Sequence, residues 1–250
     1  MLAAFATGCS TAPVTHRSQL ALISSSDEQQ LGLTEFEKMK QSVPISSDAA
    51  ANAMVQKVGK AIAAIAGSDM PDAKWEFVVF KSDEANAFCL PGGKVGVYSG
   101  ILPITRDEGG LATVLGHEVA HAAAHHGRER LSQQMVTQLG AEALGASFNT
   151  SSPAVQALVS QAYGTGSQLL VELPFSRQQE SEADHIGLVY MARAGYQPEA
   201  AVDFWKRFAE WSKQHGGSDT PTFLRTHPLD EVRIKQIQGW LPEAKAQMKK

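Results

Sequence analysis

Gly116-His117-Glu118-Val119-Ala120-His121 is the stretch on which the reading of this chain turns. Residues i and i+4 share one helical face, so the imidazoles of His117 and His121 can reach one metal ion at roughly 2.0–2.1 Å. Glu118 projects beside them, where a carboxylate can take a proton from a metal-activated water. The surrounding helix is credible. Asp107 and Glu108 suit a first turn, and Leu111, Val114, Leu115, Val119 and Ala122 recur on one apolar face. The blander alternative is a surface helix that happens to carry two histidines, and a third ligand is what weighs against it.

One class of H-E-x-x-H protein would need glycine at position 124 and histidine at position 127; the chain has Ala124 and Gly127, so that class is excluded. His125 lies eight residues from His117, about 12 Å along the axis, too far to share a metal with both motif histidines. His125 and His126 read instead as helix C-terminal cations beside Gly127, the expected helix stop. A Glu on a second helix is the remaining source of a ligand. That helix is visible from Ser176, a suitable N-cap, through Glu180, Ser181, Glu182, Ala183 and Asp184 toward Gly195, a suitable stop. Glu180 and Asp184 stand at i and i+4, so one carboxylate can bind metal while the other accepts the N–H of a ligating His. Spacing alone does not choose Glu180 over Glu182.

The pair H-E-V-A-H and E-S-E-A-D, with Asn86-Ala87-Phe88 and Pro91-Gly92-Gly93 upstream and Thr226-His227-Pro228 downstream, resembles the zinc peptidases of family M48, most of all their periplasmic lipoprotein members. The resemblance runs from Gln19 to Gln238. It implies an α+β, mainly helical gluzincin fold with a small β-sheet beside the H-E-x-x-H helix. It further implies one Zn2+ on His117, His121 and Glu180, with Glu118 as general base and Asp184 behind the ligands. His227 and Arg233 are implied at the rim, stabilising an oxyanion, or for His227 touching the metal transiently; the alternative is that His227 caps a loop and Arg233 pairs with a neighbouring carboxylate. Glu182 faces about 200° away from Glu180 and reads as solvated or structural, and Arg177 as an ion-pair partner.

Trp75 to Lys81 reads as a strand, and Phe88 to Ser99 as two short strands bent at Pro91-Gly92-Gly93. Val95 and Val97 are expected to run beside the zinc helix as an edge with which an extended peptide could pair; an ordinary core hairpin is the alternative. Asn86 and Gly92 serve equally as turn formers or substrate contacts. Gln19 to Lys40, Ala49 to Ala66, Gln197 to Lys213 and Asp230 to Met248 show helical spacing. Residues 131–173, rich in Ala, Gly, Ser and Gln, are expected to form two helices joined near Asn149 to Pro153, either a lid over the cleft or a structural hairpin. His16, His185 and His215 carry no ligand spacing.

With 250 residues, 43% of them hydrophobic, the chain can bury a core without staples. A net charge of −4 argues against a nucleic-acid surface. No run of about eighteen apolar residues follows the N-terminus. Phe5-Ala6-Thr7-Gly8-Cys9-Ser10 looks like the end of a bacterial lipoprotein signal with Cys9 lipidated, although Ala6 stands where such signals usually carry Leu. Cys89 then has no partner and is a small buried hydrophobe, or a disulfide partner of Cys9 if Cys9 is not processed. The expected division is residues 1–18 as signal remnant and tether and 19–250 as one peptidase domain; no tandem repeat follows residue 238. The expectation is thus a zinc endopeptidase cleaving unfolded or misassembled envelope proteins. It would be anchored in the bacterial outer membrane, facing the periplasm, with the outer-membrane protein assembly machinery as an expected partner. A chaperone-like or adaptor lipoprotein with a latent zinc site is the second reading. A purely structural zinc protein is the third, and Glu118 argues against it because a closed site needs no free carboxylate.

Overall fold

Short polar side chains set where the helices begin. The computed structural model describes residues 9–143, 175–215, 222–228 and 231–248. Its first residues pair as β1 (Cys9–Thr11) antiparallel to β2 (Ser18–Leu20), with Cys9 opposite Leu20. Ser24 accepts the Asp27 amide to start α1 (Ser25–Ser42), and Asp48 accepts the Ala50 and Ala51 amides to start α2 (Ala49–Ala66). The helix expected from Gln19 therefore starts six residues later, because Gln19 is spent in β2 and Ser24 is the cap. Three strands follow: β3 (Glu76–Phe80), β4 (Ala87–Leu90) and β5 (Lys94–Tyr98). Then come α3 (Leu102–Thr105), α4 (Glu108–Ala123), opened by Asp107 accepting the Gly110 amide at 2.9 Å, and α5 (His126–Ala143). Beyond residue 174 lie α6 (Arg177–Arg193), α7 (Glu199–His215), α8 (Thr222–Thr226) and α9 (Glu231–Ala246). At the start of α6, Ser176 and Gln179 cap each other's backbone amides in a capping box.

The sheet order is β3-β5-β4, β3 parallel to β5 and β4 antiparallel to it. Gly92 and Gly93, at φ +80° and +79°, make the turn between β4 and β5 that a side chain would strain. Val95 and Val97 lie on the central strand, buried and hydrogen-bonded on both sides, so they do not form the open edge expected of them. That edge is β4, which packs against α4. The outer side of β3 is partly covered by the bridge between Ile45 and Phe80.

Helix α4 is the centre of the fold. Every residue from Gly110 to Ala123 is buried, because α2, β4, α6 and α7 surround it, and the expected one-sided apolar stripe becomes a helix enclosed all round. Its tightest neighbour is α6. A Cβ on Gly187 would fall 2.8 Å from the Gly116 carbonyl carbon and from the His117 nitrogen, so the two helices meet backbone to backbone one residue from a motif histidine. Apolar side chains of α7 and α8, with Trp205, Phe204, Phe208 and Phe223 at their heart, fill the core on the far side.

Two expectations are corrected here. Helix α4 does not stop at Gly127. His125 turns the chain at φ +54°, and Gly127 lies inside α5. Residues 9–18 are not a loose tether: Ala12 is fully buried and Arg17 pairs with carboxylates of α5 and α6. Of the segment expected as a lid, residues 131–143 belong to α5, and 144–173 lie outside the described residues. Among the described residues no helix is long and apolar enough to cross a membrane.

Candidate metal centre

Helix α4 supplies His117 and His121, α6 supplies Glu180, and His227 follows α8; one donor atom of each lies within 4.8 Å of all the others, and all four residues are buried. His117 Nε2 is 3.1 Å from His121 Nε2 and 3.2 Å from His227 Nδ1. Glu180 Oε1 lies 3.3 Å from His121 Nε2 and 2.8 Å from His227 Nδ1. Tetrahedral bonds of 2.0–2.1 Å would put zinc ligands about 3.3 Å apart, so the spacing suits such an ion.

The charges point the same way. Three carboxylates, Glu118, Glu180 and Asp184, are buried together, and among the described residues the Arg233 guanidinium pairs with the last two. A divalent cation balances them. Burial opposes charging of the His117 imidazole, yet Asp184 and Glu180 lift it to about 9, the mark of surroundings that hold positive charge. Burial likewise opposes the Glu180 carboxylate, but His227 and Arg233 hold it well below the usual range. The cofactor that this donor set and spacing fit is zinc.

Glu118 sits beside the donors and faces a cleft. Its Oε1 makes no hydrogen bond among the described residues and lies 3.4 Å from His227 Nε2. Burial pushes its carboxyl upward. The cleft is lined by Asn86, the β4 strand, Arg130, Phe175 and His227. Asn86 Nδ2 is buried there without a hydrogen-bond partner among the described residues. Cys89 lines the same cleft as a free thiol, its ionisation opposed by burial.

Asp184 lies on the far side of His117 from the other donors, with Oδ1 3.0 Å from His117 Nδ1. Of the roles open to His227 and Arg233, the geometry is that of a metal contact for the first and of carboxylate pairing for the second. His227 is inside the donor cluster rather than at its rim, because the turn after α8 points Nδ1 at Glu180. Arg233 is buried behind the ligands: it donates to both Asp184 oxygens at 2.8 Å, reaches Glu180 Oε2 at 2.8 Å, and stacks over Trp205. A guanidinium so committed is a brace for carboxylates rather than a rim cation aimed at an oxyanion. His126 and Glu182, read from sequence as a helix-end cation and a bland acid, are both buried. His126 Nδ1 lies 2.9 Å from His121 Nδ1, and its Nε2 lies 2.9 Å from Glu182 Oε2. Burial opposes the Glu182 charge, but His126, Thr15 and Arg17 bring its carboxyl down to about 2. His125 pairs with Glu28 at 2.8 Å. Only the E-x-E spacing hinted at these roles, and it did not say which partner each acid would find.

Known proteins share these features. Residues 49–241 match Peptidase family M48. The mitochondrial metalloendopeptidase OMA1 of Schizosaccharomyces pombe is 40% identical over 76% of this chain and 53% of its own length. Its Saccharomyces cerevisiae namesake is 42% identical over 68% of this chain and 48% of its own. The beta-barrel assembly-enhancing protease of Escherichia coli is 28% identical over 94% of this chain and 48% of its own. The chain thus spans about half the length of the curated relatives it matches. These relatives overturn the expected bacterial outer-membrane location: the two more similar ones are named mitochondrial. That expectation rested on the stretch ending at Cys9, which in the structure opens a paired strand. With the H-E-x-x-H helix, the acidic helix crossing it and the converging donors all in place, the chain belongs to Peptidase family M48.

Proposed function

We propose that this chain is a zinc-dependent endopeptidase acting on extended segments of unfolded or misassembled polypeptides. The observation that carries the reading is Glu118 placed between the converging donors and the cleft along β4. Bound by His117, His121 and Glu180, zinc would supply the Lewis acidity that makes a water nucleophilic near neutral pH. Glu118 takes the proton of the attacking water and returns it to the leaving amine, work for which burial tunes its carboxyl in the right direction. A substrate pairs with the β4 edge, and Asn86 Nδ2 is a donor free to meet a peptide carbonyl. Asp184, braced by Arg233, holds the His117 ring.

A second reading has one observation in its favour. His227 Nδ1 takes the fourth corner of the donor set, and a site with four protein ligands is closed to water. In that state the protein is latent, and client binding without cleavage would be its main activity. A role beside outer-membrane protein assembly is supported only by the name of the 28% identical relative, not by the mitochondrial ones.

Metal content and chelator-reversible cleavage of casein, compared between wild type and Glu118→Gln, test the proposal. One zinc per chain in both proteins, with cleavage lower by about 10²–10⁴ in the variant, supports it. Equal cleavage by both sinks the role of Glu118. Zinc without cleavage in either favours the latent state.

A further inference from the structure

His121 has two faces. Its Nε2 turns to the donor cluster, and its Nδ1 meets His126 Nδ1 at 2.9 Å. His126 is fully buried at the head of α5, brought under His121 by the positive φ of His125. Its other nitrogen, Nε2, faces Glu182 Oε2 at 2.9 Å. Glu182 is itself held from the N-terminal hairpin: Arg17 Nε donates to Oε2 at 2.8 Å and the Thr15 hydroxyl donates to Oε1. Arg17 also forks onto both Glu129 oxygens, at 2.7 and 2.8 Å, and Gln179 donates to Glu129 at 2.7 Å.

We propose that His126 and Glu182 are positioning residues for the metal ligand His121, and that the N-terminal hairpin completes this relay through Arg17. The direction of the hydrogen bonds follows from the ends of the chain. A neutral imidazole carries one proton, so a His121 that offers Nε2 to zinc must carry it on Nδ1. That N–H can only donate to His126 Nδ1, which must then be bare. The His126 proton is left on Nε2, where it donates to Glu182, a carboxylate that can only accept. Every donor meets an acceptor in one arrangement alone. The relay therefore fixes the His121 tautomer and ring plane together, as the carboxylate partner of a ligating His does elsewhere.

The relay rests on the reading of His121 as a zinc ligand. Zinc affinity is measured by competition with a chromophoric chelator at neutral pH, on the full chain, with circular dichroism and the zinc-free urea midpoint recorded beside it. His126→Phe keeps the ring bulk and deletes both nitrogens; it should weaken zinc about 10–100-fold. His126→Gln keeps an acceptor and a donor and should recover part of that loss. Arg17→Met and Glu182→Gln should weaken zinc by less, and Lys57→Met, which removes only a surface pair with Glu108, should not weaken it at all. A packing role alone would lower the urea midpoint but leave the zinc affinity of the folded protein unchanged and give no rescue by Gln. If His126→Phe does not fold, Arg17→Met and Glu182→Gln decide. Wild-type affinity in all variants that fold overturns the relay, and wild-type affinity in Arg17→Met alone overturns the hairpin's part. A wild type that binds no zinc would instead sink the ligand assignment itself.

Discussion

The two motif histidines are held from behind in different ways. His117 meets a carboxylate directly: Asp184, with Arg233 gripping both its oxygens. His121 meets an imidazole first, then Glu182, then Arg17. Each line of contacts ends in an arginine, but the first is built wholly from α4, α6 and α9, whereas the second calls on α5 and on the hairpin at residues 9–20. The first arm is sealed inside the core, with the Arg233 side chain 6% exposed; the Arg17 side chain at the end of the second is 19% exposed. The comparison teaches that one ligand is fixed by the fold's centre and the other by a piece of chain docked onto its surface.

The largest effect expected is on the sealed arm. Arg233→Met strands the Asp184 and Glu180 carboxylates in a dry site and should cost about 3–5 kcal/mol in the zinc-free protein, read from urea unfolding. Zinc should return part of this, since it restores positive charge; a loss no smaller with zinc than without would break the account of the charges. Asp184→Asn should come next, lowering zinc affinity about 10–100-fold by replacing the charged acceptor at His117 Nδ1 with a neutral amide. A loss smaller than that in His126→Phe would reverse the ranking of the two arms. Arg17→Met should shift the zinc-free urea midpoint less than Arg233→Met, because Arg17 is itself partly exposed whereas Arg233 is buried; an equal shift would show the hairpin to be as central as the core.

Acid should loosen the arm that ends in Arg17. The Glu182 carboxyl sits at about 2 and that of Glu129 below its ordinary value, both held there against burial by their partners. A depressed carboxyl contributes stability above its unfolded value near 4.5 and loses it as pH falls through the folded one. Protection of the amides of residues 9–20 in the zinc-free protein, relative to the intrinsic exchange rate at each pH, should therefore be high above about pH 5 and fall as the pH drops toward 2, ahead of α4. Exchange in the hairpin that stays as slow as in α4 down to about pH 2 would end the distinction between the arms.

What the sequence disclosed follows the same division. His117, Glu118, His121, Glu180 and Asp184 lie in two short motifs whose i, i+4 spacing is converted directly into shared helical faces. The helices carrying them announced themselves through Asp107, Ser176 and Gly195. The His121 arm gave no such signal, because His126 reaches its place through a positive φ at His125, where no glycine marks the turn, and because its outer partner is 165 residues from Glu182 along the chain. The strand order was hidden for a related reason: periodicity shows that Val95 and Val97 are buried, not that β5 lies between β3 and β4. Arg233 was legible as a cation for either an oxyanion or a carboxylate, but which carboxylates it meets depends on how α9 crosses α6, which spacing cannot state.

The contact between Gly116 and Gly187 bears on how such a site can vary at all. Where two helices touch through their backbones, no side chain can change rotamer to absorb a shift, and each residue of slippage turns a helix by about 100°. An insertion or deletion between Gly116 and His121, or between Glu180 and Gly187, would swing the donors off their common point. The two motifs are thus locked in register like the teeth of a key. Variation in metal affinity is confined to substitutions behind the ligands and to the chain that docks there.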